Sequence, residues 1–141
     1  MPEIEVSAVP VPKARARLGK GGRVFTPRTT ELAEHWIRDC WERSGFGRLE
    51  GPVYVEIRAR LVRPRGHFGT GRNATRLLPS APRWPAVKPD LDNYAKTALD
   101  ALRGVAFTDD GQVVTLLLAK FYAREHETPG WRIGVFPMLE D

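Results

Sequence analysis

The sequence predicts a single α/β domain, residues 1–141, in which two main helices pack on a mixed β-sheet. Three observations predict it. Apolar and polar residues alternate at period two near both ends of the chain and in its middle, as in half-buried strands. Two other segments place apolar residues at helical spacing. The resulting order, β, β, α, β, loop, α, β, β, builds one α/β layer. A chain of 141 residues suits one domain, and a domain of that size buries roughly 70% of its unfolded surface. The 42% hydrophobic and 28% charged fractions fit a globular chain rather than a disordered one. The chain carries no internal repeat.

Ile4, Val6 and Ala8 alternate with polar residues and predict the first strand. Pro10 and Pro12 place it at a sheet edge or mark its end. Lys13 to Arg23 is basic and ends in Gly19, Gly21 and Gly22, so it predicts a loop or hairpin turn. Val24-Phe25-Thr26 is a short extended piece. Thr29 or Thr30 is expected to cap a first helix, with Glu31 in its first turn. Leu32, Trp36, Ile37, Cys40 and Trp41 form its expected apolar stripe, and Gly45 and Gly47 end it. Val53, Val55, Ile57, Ala59 and Leu61 alternate with Tyr54, Glu56, Arg58 and Arg60, the clearest strand of the chain.

Residues 63–89 contain Pro64, Pro79, Pro82, Pro85 and Pro89, several glycines and many basic residues. They predict a long flexible basic loop, mobile in the free protein and ordered by a partner. A second helix is expected from about Asp92 to Leu102, with Leu91, Ala95, Ala98, Leu99 and Leu102 on one face and Gly104 as its stop. Val113 to Phe121 is an apolar run suited to a buried strand. Trp131, Ile133, Val135 and Phe136 give the last strand.

Charge narrows the function classes. The net charge is +5 and the isoelectric point about 9.8, which favours an anionic partner. Between Val6 and Thr30 there is no acid but six basic residues, among them Lys13, Arg15 and Arg17. Between Ile57 and Pro89 there is again no acid but eight lysines and arginines, including Arg72, Arg76, Arg83 and Lys88. Acids concentrate around Trp36 and after residue 89, so a basic surface is expected around an acidic centre. Cys40 is the single cysteine, which excludes an intrachain disulfide and fits a reducing compartment. Its apolar neighbours predict a core thiol rather than a nucleophile. No apolar run approaches the roughly 20 residues that span a bilayer. The first residues have neither the basic nor the apolar region of a secretory leader. A cytoplasmic protein without membrane association is expected. His35, His67 and His126 are scattered, and zinc-ligand spacing is absent.

The chemistry concentrates between Lys88 and Asp110. The run reads Lys88-Pro89-Asp90-Leu91-Asp92-Asn93, then Lys96, Asp100 and Asp109-Asp110. Carboxylates gathered together repel unless a cation neutralises them. Hard divalent ions do so with oxygen ligands. Magnesium, with manganese able to replace it, acting on a nucleic acid phosphodiester is the simplest chemistry for such a cluster in a basic protein. Asp90 or Asp92 alone is explained as a helix cap; Asp90, Asp92 and Asp110 together are not. Lys96 is either an i,i+4 surface partner of Asp92 or a cation that meets the reacting phosphate. Asp100 either is solvated or extends the acidic face begun by Asp92. Asp109-Asp110-Gly111 alone reads as a turn. If it starts beside the beginning of the second helix, it brings Asp110 to Asp90 and Asp92. Phe68 and Trp84 either stack on unpaired bases or pack the basic loop down.

This pattern resembles the RusA family of Holliday junction resolvases, in the form carried by phages and prophages. The resemblance rests on Lys88-Pro89-Asp90-Leu91-Asp92-Asn93, Lys96, Leu99-Asp100-Ala101-Leu102, and Asp109-Asp110 before Gln112-Val113-Val114. Pro10-Val11-Pro12-Lys13-Ala14-Arg15-Ala16-Arg17 and Val24-Phe25-Thr26-Pro27 extend it, so that it covers about residues 8 to 122. It implies a magnesium-dependent homodimeric endonuclease that makes paired, symmetric nicks in four-way DNA junctions during recombination and repair. It further implies that Asp90, Asp92 and Asp110 are metal-binding catalytic carboxylates and Lys96 the catalytic lysine. Asp109 and Asp100 are possible additional acids, and Asp109 or Asp110 is left open as the ligand. Lys13, Arg15, Arg17, Arg72, Arg76, Arg83 and Lys88 are expected to hold DNA. The long proline-rich stretch before Lys88 departs from the family pattern. A flap or branched-DNA nuclease of broader specificity and a non-catalytic DNA-binding module are the alternatives. The intact acidic set speaks against a pure binder, which gains nothing from carboxylates near phosphates.

Overall fold

The computed structural model describes residues 2–15, 17–25 and 27–139; the side chains of Arg17 and Phe25 also lie outside the described part. Six strands and two long helices follow in order: β1 (Glu3–Val6), β2 (Arg17–Leu18), β3 (Val24–Phe25), α1 (Arg28–Ser44), β4 (Val53–Leu61), α2 (Leu91–Leu102), β5 (Val113–Tyr122) and β6 (Gly130–Pro137). Four strands form one mixed sheet in the order β1-β6-β4-β5, and β2 and β3 form a separate small hairpin. β4 and β5 are parallel, whereas β6 runs antiparallel to both β1 and β4. The expected α/β class, the mixed sheet and its two helices are therefore present, and β1 is the edge strand its prolines suggested.

Alternation in β4 buries Val53, Val55, Ile57 and Ala59 completely or nearly so. They meet Ile37 and Trp41 of α1, Ala98, Ala101 and Leu102 of α2, and Trp131, Ile133 and Val135 of β6 in one core. Each such large side chain contributes roughly 1.5–3 kcal/mol by leaving water.

Four expectations need correction. Helix α1 starts at Arg28, with Pro27 at its N-cap and no side-chain cap. Thr30 is buried, and its hydroxyl accepts from the Ala14 N–H at 3.4 Å. The buried stripe of α1 is Thr30, Ala33, Ile37 and Trp41, at spacings of three and four, while Leu32 and Trp36 are exposed beside Val9 and Val11. Gly45 closes the helix at φ +76°, a left-handed conformation suited to glycine. Cys40 is only partly buried, and its thiol donates to the Glu5 carbonyl at 3.2 Å. Strand β5 lies at a sheet edge rather than inside the sheet, and leaves Val114, Leu116 and Leu117 about 40–60% exposed.

Residues 63–89 contain two short 3₁₀ turns and a bridge between Phe68 and Leu77. The segment is also tied down. Arg63 donates to the Pro82 carbonyl at 2.7 Å, Tyr122 N–H to Arg83 at 3.3 Å, and Leu77 N–H to the Glu125 carboxylate at 3.1 Å. No described helix is long and apolar enough to cross a membrane.

Candidate active site

Asp90 stands at the N-cap of α2 in an extended conformation, yet its carboxylate accepts no hydrogen bond from the helix. It turns instead to Lys88, whose Nζ lies 2.8 Å from Oδ1 and 2.9 Å from Oδ2. That hydrogen bond and charge hold the Asp90 carboxyl below the usual carboxylate range, with Lys120 adding to the effect, and they raise the Lys88 amine in turn. Lys120 reaches the same place from β5 and donates to the Val87 and Pro89 carbonyls at 2.7 and 2.8 Å. Lys88, Asp90 and Lys120 line one cavity of about 430 Å³.

Asp92 lies in the first turn of α2, where the helix dipole favours a negative charge. Lys96 follows one turn later, and both side chains are exposed. Neither has an ion-pair partner among the described residues; the Asp92–Lys96 surface pair does not form.

The other acids stand at the far end of the helix. Asp100 pairs with Lys13 at 2.9 Å and with Arg103 at 3.6 Å. Arg103 also holds Asp110, at 3.1 Å. Arg38 of α1 donates to the carbonyls of Asp100 and Ala101 at 3.2 and 3.1 Å, capping the carboxyl end of α2. Asp109 caps its own short turn: its carboxylate accepts from the Gln112 backbone, and Gln112 Oε1 accepts from the Asp109 and Thr108 N–H groups at 3.1 and 2.8 Å.

Asp110 is thus not beside Asp90 and Asp92 within one chain. Helix α2 has 12 residues, about 18 Å at 1.5 Å each, and Asp110 meets Arg103 just past its C-terminus. The reason is direction. Strand β5 runs back along α2, so its start lies near the helix end, while its end meets Pro89 through Lys120. Among the described residues no group of three or more Asp, Glu, His or Cys side chains converges closely enough to hold a metal ion. The oxygen donors suit magnesium in kind; one chain alone does not assemble them.

The basic residues divide. Lys13 is partly buried and engaged, at 2.6 Å from Glu34 and 2.9 Å from Asp100, and its backbone N–H donates to the Asn93 carbonyl at 2.9 Å. Burial opposes its charge, but the Glu34 and Asp100 hydrogen bonds prevail and hold its pKa above the ordinary amine value. Arg15, Arg72, Arg76, Arg83 and Lys88 are exposed. The Arg17 side chain lies outside the described residues. Arg103, Arg38 and Lys120 were not singled out from sequence. Only Lys120 carried a signal, as the one cation in the apolar run from Val113 to Phe121.

The family described as Endodeoxyribonuclease RusA matches residues 7–134. An uncharacterized protein, YqaN, of Bacillus subtilis (strain 168) is 34% identical over 77 residues, which cover 55% of this chain and 54% of that protein. The chain thus spans about half the length of this curated relative. The family match takes in the carboxylates at both ends of α2, the lysines beside them and the basic N-terminal segment, and by it the chain belongs to the RusA endodeoxyribonuclease family.

Proposed function

We propose that this protein is a magnesium-dependent endodeoxyribonuclease that resolves four-way DNA junctions by paired, symmetric nicks as a two-fold dimer. One observation carries the reading: at the start of α2, Asp92 and Lys96 are exposed with no ion-pair partner among the described residues, and Asp90 declines the cap it stands at. Asp90 has the exposed Lys88 instead. Carboxylate oxygens suit magnesium, and manganese in its place.

A second copy supplies what one chain lacks. The free edge of β5, with exposed Val114, Leu116 and Leu117, is a long apolar strand of the kind that pairs with another chain. Two copies of β5 joined antiparallel about a two-fold axis run start against end. The start follows Asp110, and the end lies beside Pro89. Each site would then take Asp90, Asp92 and Lys96 from one chain and Asp110 from the other. Asp109 is engaged as a cap of its own turn, whereas Asp110 has only an exposed pair with Arg103 among the described residues, which favours Asp110 as the ligand. Bound there, magnesium would polarise a phosphoryl oxygen and activate water. Lys96 offsets negative charge developing on the phosphate. Arg15, Arg72 and Arg76 hold backbone phosphates without reading bases. Two equivalent sites match the two-fold symmetry of a junction and its paired cuts.

Pure protein incubated with a fixed four-way junction, a flap and a linear duplex, each with magnesium and with EDTA, tests this reading. Symmetric nicks in the junction with magnesium alone are the expected result. Equal cutting of the flap would make the protein a broader branched-DNA nuclease. Junction binding without any cut in magnesium would leave a binding module.

A further inference from the structure

The helices cover one face of the sheet, through Val53, Val55 and Ile57. Arg58 and Arg60 alternate onto the other face. The parallel register sets Phe121 beside Arg60 on that face. The returning loop brings Arg83 and Trp84 over the end of β5, held by the Tyr122–Arg83 and Arg63–Pro82 hydrogen bonds at 3.3 and 2.7 Å. Between loop and sheet lies a cavity of about 410 Å³, within the range of roughly 300–1,000 Å³ typical of small-ligand sites.

Its lining is cationic and aromatic, and includes no acid. Arg63 serves as wall: it donates to the Ala123 carbonyl at 2.7 Å and lies over the Tyr122 ring at 5.1 Å. Arg58 is engaged by Glu56 at 3.0 Å. Arg83 and Arg124 also line the cavity, and neither has a carboxylate partner among the described residues. Arg83 lies 5.3 Å from the centre of the Trp84 ring, and Trp84 is 58% exposed. Guanidinium groups without a carboxylate partner among the described residues call for an anion, and the exposed Trp84 ring calls for a planar partner. A nucleotide is both. A duplex hides its base faces in the stack, so the nucleotide must be unpaired.

We propose that this cavity binds one unstacked nucleotide of a DNA strand, its base on Trp84 and Phe121 and its phosphate by Arg83 and Arg124. The choice of DNA rests on the nuclease reading above; the cavity chemistry does not. The site would hold a displaced base close to the branch, since the loop that carries Trp84 continues into Asp90.

Fluorescence anisotropy of a labelled short oligothymidine in EDTA tests the proposal, with a strand of the same length that is abasic at every position as comparator. The wild-type protein should prefer the strand with its base. Trp84→Ala should weaken that strand by about 5- to 150-fold, the measured range for one base stacked on an aromatic, and should abolish discrimination against the abasic strand. Trp84→Phe should keep most of both, which separates stacking from damage to the fold. Arg83→Gln with Arg124→Gln should weaken both strands alike and flatten the salt dependence. Wild-type protein that binds the two strands equally, or Trp84→Ala that still tells them apart, would overturn the proposal. So would free thymidine monophosphate competing as well as the strand does. A wild-type protein that shows this discrimination but cuts no junction in magnesium would refute the nuclease reading and leave the cavity standing.

Discussion

At the carboxyl end of α2, Asp100 and Asp110 are met by Lys13 and Arg103, and Arg38 covers the last carbonyls; at the amino end, among the described residues, Asp92 and Lys96 have no ion-pair partner and Asp90 pairs with the exposed Lys88. Helix electrostatics explains the first arrangement. The carboxyl end carries partial negative charge, so acids there need cations, and the fold supplies them. It explains only the acids of the second, not its lysine. The amino end tolerates acids unaided, and nothing in the fold requires an unpaired lysine there. Charge that the fold needs is compensated, and charge left uncompensated is available to a ligand. Asp110 stands between the two cases. Its pair with Arg103 is about half exposed on both sides, so it is worth little and exchanges readily for another partner.

Neutralising the acids one by one should have the largest effect. Asp90→Asn, Asp92→Asn and Asp110→Asn should each reduce junction cleavage at least about a hundredfold, since a catalytic cation contributes several kcal/mol. Binding in EDTA should persist or tighten, because each change lowers repulsion toward DNA. Mixing then locates the sites. In a dimer of Asp92→Asn with Asp110→Asn, one composite site receives both substitutions and the other receives neither. Mixed dimers should regain one nick per junction. If two inactive variants stay inactive after proven subunit exchange, Asp110 does not act across the dimer.

The free edge of β5 should show the next largest effect. Leu117→Lys puts a charge into the proposed dimer seam, while Leu117 is about 40% exposed in the single chain. The variant should therefore keep its melting temperature as an isolated chain, run as a monomer in light scattering, and lose paired cleavage. An unchanged dimer that still cuts would move the interface elsewhere.

Much of this was legible in the sequence, for reasons the comparison makes plain. Strand β4 and helix α2 bury one strict face each, so periodicity alone locates them. Apolar spacing alone misplaces the stripe of α1, because Leu32 and Trp36 are apolar but exposed, beside Val9 and Val11. The run from Val113 carries the apolar signal of an interior strand, and a sequence does not say whether the neighbour that covers a strand is its own chain or another. Residue types and spacing picked out Asp90, Asp92, Lys96 and Asp110. Their separation depended on the direction of β5 relative to α2, which no local pattern carries. Lys13 shows the same limit. It reads as one more cation in a basic segment, but it is held between Glu34 and Asp100 across the two helices.

Lys96→Ala should come third. Lys96 has no ion-pair partner among the described residues and is exposed on α2, so its loss should leave the melting temperature almost unchanged. Cleavage should fall far more than junction affinity, because one phosphate contact is a small part of a broad basic surface. Equal losses in rate and affinity would make Lys96 an ordinary phosphate clamp.

The smallest effect belongs to the opposite end of the helix. Lys13→Met removes the cation that joins Glu34 of α1 to Asp100 of α2, and it should lower the melting temperature by roughly 3 °C, the scale of a partly buried ion pair in a domain of this size. The pH dependence follows from the direction of the Lys13 shift. Its pKa is raised in the folded chain, so the folded state binds this proton more tightly than the unfolded state does. The contribution is therefore fully present below the ordinary lysine pKa and is lost as pH rises through the higher folded value. Melting curves of wild type and Lys13→Met should stay separated by a constant gap from neutrality to about pH 9, and converge only in strongly alkaline buffer. A gap that closes below about pH 9 would mean that the lysine is not held by its two carboxylates in solution. Junction affinity supplies the contrast with the amino end: a residue occupied inside the fold should contribute little to DNA binding, so the salt slope of Lys13→Met should match that of wild type, whereas Arg15→Gln on the exposed surface should lower it by roughly one phosphate contact.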